Sequence, residues 1–81
     1  MSEIIEMLIP AVEEQITSAE TPFVKDAYQR LLKEPDIDEE EAKKMIALCL
    51  ADESERMMDD DREFNLERYK TLLSLLPTLP E

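Results

Sequence analysis

Apolar residues recur with the period of an α-helix in four separate stretches of this chain, and each stretch is bounded by proline, aspartate or asparagine. In the first, Ile5, Leu8, Ile9, Val12, Ile16 and Ala19 make one stripe, predicting a helix over 2–19. Pro10 interrupts this stretch without shifting its phase and projects away from the stripe, so one helix kinked at Pro10 is expected. A helix that starts near Ile9 is the alternative, because proline suits a first turn and is costly in an interior. The outer positions hold Glu3, Glu6, Glu13 and Glu14 and no basic residue.

Thr21-Pro22 signals the second start, a cap followed by proline in the first turn. Phe23, Val24, Ala27, Tyr28 and Leu31 share a face over 22–33, and Pro35 stops the helix by pushing its predecessor out of the α region. Asp26, Arg30 and Glu34, spaced four apart, predict ion pairs on the outside.

The third stretch, 38–58, is the most apolar. Asp38 and Glu41 form a capping-box signature, Ile37 is placed to staple onto Ala42, and Glu39, Glu40 and Glu41 suit the positive end of the helix dipole. The run from Met45 to Ala51 is apolar without a break, which predicts a central helix touched on more than one face. Ala42, Met45, Ile46, Cys49, Leu50 and Met57 line its main buried face, with Glu53 in the middle. Fraying is expected through Asp59, Asp60 and Asp61, because acids oppose the dipole at a C-terminus.

The fourth stretch, 65–76, opens on Asn65 as cap, with Phe64 placed to staple onto Tyr69. Leu66, Tyr69, Leu72, Leu73 and Leu76 form its stripe, and Pro77 and Pro80 leave 77–81 as a short extended tail. The connections are short, so the expected fold is all-α: one domain over 1–81, a compact bundle of four helices. The chain has no glycine and no alternating β-branched runs, which argues against hairpins.

Composition narrows the function classes. The net charge is −12, from nine basic and 21 acidic residues, and it opposes binding to nucleic acid or to anionic membrane. The first ten residues have Glu where a secretory signal has Lys or Arg, and no apolar run spans a bilayer, so a cytoplasmic location is expected. Histidine is absent and Cys49 is alone in an apolar run, so neither a disulfide framework nor an activated thiol is expected. No glycine-rich phosphate loop or nucleophile elbow occurs either, and the chain reads as no enzyme and as needing no cofactor.

Two constellations remain. The acidic segment 52–63 and the loop from Asp59 to Asn65 offer oxygen ligands at alternate positions. They lack the glycine a calcium loop needs, carry Arg62 among the ligands and put Lys70 where the closing glutamate belongs, so no metal site is expected. Glu53 is a candidate buried polar residue that must find a partner among Arg30, Arg56, Arg62, Arg68, Tyr28 and Tyr69. A di-iron type of role would need Glu-x-x-His pairs, which this chain cannot supply.

The run EEEAKKMIALCLADE, followed by REFNLERYKTLLSLLP, resembles the C-terminal half of a group of small uncharacterised bacterial all-helical proteins. These share an alanine-rich helix, a polar loop and then an aromatic, a tyrosine and a leucine-rich helix before proline. The resemblance covers about half the chain, implies a bacterial helical fold and carries no activity with it.

Ala47, Leu48, Ala51 and Met58 lie off the main face of the third helix and form the candidate interface. Either the first helix crosses there within the same chain, or the face meets a protein partner or a second copy as a homodimer. The second outcome is the expectation, giving a small acidic protein-interaction module, self-associating or adaptor-like. The alternative is an acidic ligand for a basic surface, as a nucleic-acid mimic or a divalent-cation binder through 52–63.

Overall fold

A computed structural model describes residues 2–78. Four helices follow in order: α1 (Ser2–Thr17), α2 (Pro22–Leu32), α3 (Glu39–Asp59) and α4 (Leu66–Leu75). The all-α reading holds, and each predicted helix is present within one or two residues of its expected ends. Of the tail expected over 77–81, residues 79–81 lie outside the described residues.

α2 and α3 each pack against all three other helices, while α1 and α4 flank them without close backbone approach. The core between them holds Val12 from α1, Val24, Ala27 and Leu31 from α2, and Ala42, Ile46, Ala47, Cys49 and Leu50 from α3. Tyr69 and Leu73 of α4, with Leu76 just beyond it, complete that core. The sequence stripes therefore point inward, as the 3.6-residue period requires, except at their ends, where Leu66 is 45% exposed and Ala19 lies in solvent beyond α1.

Local signals set the helix ends. Asp38 accepts from Glu41 N–H at 2.8 Å, one half of the predicted capping box. Asn65 caps α4 by accepting from Arg68 N–H at 3.0 Å. Phe64 meets Tyr69 edge to face with centroids 5.5 Å apart, as the staple predicted. Pro10 sits inside α1 without ending it, on the exposed face, so the Glu6 carbonyl loses its intrahelical donor.

Four expectations need correction. α1 stops at Thr17 rather than 19, because the Thr21 hydroxyl bonds to Gln15 O at 2.8 Å and the Ser18 hydroxyl accepts from Glu20 N–H. These local bonds offer the chain an alternative to another helical turn. Thr21 for the same reason forms no side-chain cap on α2. Arg30 joins neither Asp26 nor Glu34; its guanidinium reaches across to Leu73 O at 2.8 Å and Leu76 O at 3.0 Å. Those carbonyls close α4, where the last turn lacks partners and the dipole favours a cation.

The fourth correction is at the end of α3, which closes in a capped turn instead of fraying. Arg62 N–H bonds to Met57 O at 3.1 Å and Asp61 N–H to Met58 O at 3.4 Å, the paired bonds of a Schellman motif. Asp61 takes the left-handed position, φ 51°, that glycine usually fills. Glycine there relieves a crowded Cβ but loosens the unfolded chain, so Asp61→Gly should gain roughly 0.5 kcal/mol net. A rise in the urea midpoint checks it, and a fall would show that the aspartate side chain itself holds the turn.

A buried carboxylate and an exposed apolar stripe

That turn aims the chain back at α3, and its target is Glu53, which is 0% exposed. Arg62 grips the carboxylate with both arms of its guanidinium, Nη1 to Oε2 at 2.7 Å and Nη2 to Oε1 at 3.2 Å. Arg68 donates to Oε1 at 2.9 Å and reaches Asp52 with its other nitrogen. Asn65 N–H donates to Oε2 at 2.7 Å.

Both oxygens thus accept two bonds each, and the buried charge is fully answered. The Asn65 contact is a capping box completed from another helix: the cap residue's own N–H is held by a carboxylate of α3 instead of a residue three positions on. Glu53 therefore fixes the start of α4 and the path of the connection before it. The Arg62 fork, the Asn65 N–H and Arg68 outweigh desolvation and hold the carboxyl down to about 2 from its usual 4.5.

This geometry leaves the group little chemistry. A carboxylate locked between two guanidiniums is a poor base and has no free lone pair for a metal. Asp52 and Asp60 are also engaged, by Arg68 and Arg62, while Glu55, Asp59, Asp61 and Glu63 stand exposed in solvent. Among the described residues no three His, Cys, Asp or Glu side chains converge as a metal would need. Cys49 is buried, and burial with nearby Asp52 pushes its thiol up to about 12, far from a reactive thiolate.

The candidate interface residues separate. Ala47 is fully buried, because α1 crosses α3 on its side: the Lys43–Glu13 pair, 3.0 Å apart, ties the two helices one turn earlier. Its small side chain permits that approach, so Ala47 belongs to the intramolecular core and not to a docking face. Leu48 and Ala51 are half-buried and Met58 is 75% exposed, on the outer strip of α3 with Lys44 and Glu55.

The larger apolar exposure is on α1, where sequence reading placed only an acidic outer face. Ile4 is 60% and Met7 76% exposed. With the half-buried Leu8 and Ala11 they stand at i, i+3, i+4 and i+7, a continuous apolar stripe beside the inward one. Glu3 and Glu14 flank it, both exposed. The signal was present in the sequence, but a second stripe is visible only once the inward stripe has been assigned. On the other flank of α1, a groove of about 450 Å³ runs between Glu6, Ile9 and Glu13 and Glu40, Lys43 and Lys44. Its acids and lysines nearly balance, and among the described residues Ile9 is its apolar wall.

Fold and site together define a small all-α, four-helix domain organised on a buried carboxylate and showing apolar surface on its first helix. No family model matches the chain, and neither a curated protein nor a solved structure matches it. Among the described residues no helix is long and apolar enough to cross a membrane.

Proposed function

We propose that this protein is a non-catalytic protein-interaction module of the cytoplasm, adaptor-like, whose contact surface is the Ile4, Met7, Leu8, Ala11 stripe of α1. The observation that carries this reading is that Ile4 and Met7 stand 60% and 76% exposed at helix-docking spacing, beside Leu8 and Ala11, which the core covers only in part. Two further features support it. The titratable groups at the centre of the molecule are neutralised or inert, which leaves the surface as the place for function. Asp52, Glu53 and Asp60 engage Arg62 and Arg68, and among the described residues no three acids converge, which weakens the cation-binder alternative.

The test is site-specific photo-crosslinking in the native cell, with a benzophenone residue replacing Met7, Met58 or the exposed Gln29. A discrete adduct with another protein from position 7, and none from position 29, is the expected result. An adduct of twice the chain mass would make the module self-associating. Adducts from position 58 alone would move the surface to α3, and none from any position would overturn the reading.

A further inference from the structure

We propose that the α1 stripe receives a basic amphipathic helix from another protein, an inference that rests on the interaction reading above. The stripe's spacing is that of one helix face presenting anchors to another. Charge then decides what kind of helix. α1 carries Glu3, Glu6, Glu13 and Glu14 and no cation, and Lys43 and Lys44 of α3 meet it on the flank away from the stripe, beside Glu6 and Glu13.

Glu3 and Glu14 stand at either end of the stripe with their side chains in solvent, beside Met7. They are the rim of the contact, where Lys or Arg of a partner would sit with their stems on the apolar strip and their charges on the carboxylates. Glu13 is drawn away to the other flank by Lys43. The same charges disfavour a second copy. Two α1 helices packed along this stripe would set Glu3 and Glu14 of each against the same pair of the other, between chains of net charge −12 each. An acidic partner fails for the same reason, and a neutral helix would leave the rim carboxylates without ion partners.

The probe is a designed, fluorescein-labelled peptide of about five helical turns, leucines on one face and lysines on the other, at about 0.15 M salt. Controls are the same composition scrambled to remove the stripe, and versions with Glu or Gln in place of Lys. Fluorescence anisotropy against the full chain should show saturable binding of the patterned Leu/Lys peptide and markedly weaker binding of the scrambled one. Ile4→Gln with Met7→Gln should weaken it about tenfold, because both side chains are exposed anchors. Glu3→Gln with Glu14→Gln should weaken it a few-fold, an effect that fades as salt rises. Circular dichroism melts of both pairs should match the wild type.

Equal binding of the scrambled peptide, or no effect of the Ile4 and Met7 pair, would reduce the interaction to diffuse charge attraction and overturn the proposal. If the Leu/Gln or Leu/Glu peptide binds through Met7 and the Leu/Lys peptide does not, the partner chemistry is wrong while the interaction reading stands. Crosslinks from position 7 judge that reading separately.

Discussion

Glu53→Ala should be the most damaging single substitution in this chain, lowering the melting temperature by about 15 °C or more, or abolishing cooperative folding. Removing one partner of a buried ion pair costs proteins about 3–5 kcal/mol, and each kcal/mol moves the midpoint of a domain this size by roughly 4–8 °C. Here the loss is concentrated, because four donors from Arg62, Asn65 and Arg68 would lose their acceptor together. Glu53→Gln should recover only a fraction. Its one oxygen keeps part of the network, but its NH₂ would face donors where an acceptor is needed.

The same contacts set a pH dependence. The folded carboxyl titrates near 2 and the unfolded one near 4.5, so its contribution is fully present above about pH 4.5. It is lost progressively as pH falls from there toward 2. Urea midpoints of wild type and Glu53→Gln should therefore be far apart at neutral pH and converge across that acid window. Parallel curves would mean that the carboxylate's charge does not matter to the fold.

Tyr69→Ala should be the second largest loss. Tyr69 is 1% exposed and leads the fully buried side chains in volume. It reaches two other helices and the connection before its own: its ring meets Phe23 of α2 edge to face at 6.0 Å and Phe64 at 5.5 Å, and its hydroxyl donates to Gln15 Oε1 of α1 at 2.7 Å. Truncating a buried large aromatic costs about 3–5 kcal/mol, from lost transfer energy plus the cavity. Tyr69→Phe should cost only about 1 kcal/mol, since the packing remains and one bond to Gln15 is lost. Urea melts of the two variants separate these contributions. A Phe variant as unstable as the Ala variant would show that the α1–α4 tether, not ring packing, holds the bundle.

What was legible in the sequence lies within about one helical turn. Asp38 before Glu41, Asn65 before Arg68 and Phe64 before Tyr69 act between neighbours along the chain, so spacing alone states their partners. The inward stripes were equally plain, because period and apolarity together say which face seeks the core. Even Glu53 could be placed in the buried face of α3, since its helical phase requires it.

Only the tertiary structure decided the rest. Which arginine answers Glu53 depends on the turn at Asp61, and helical phase cannot anticipate a left-handed aspartate in a chain without glycine. Arg30 had acids at ideal spacing on its own helix, yet it caps carbonyls 43 and 46 positions away. An exposed ion pair stabilises little, whereas the carbonyls at the end of α4 sit at the negative end of its dipole, which favours a cation. Ala47 left its expected place in an interface because α1 crosses α3 on that side and covers it, while Met7, which the periodicity left unassigned, stands in solvent. A stripe specifies that a face will be covered; which neighbour covers it depends on how helices distant in sequence cross, and that choice is made by packing among all four at once.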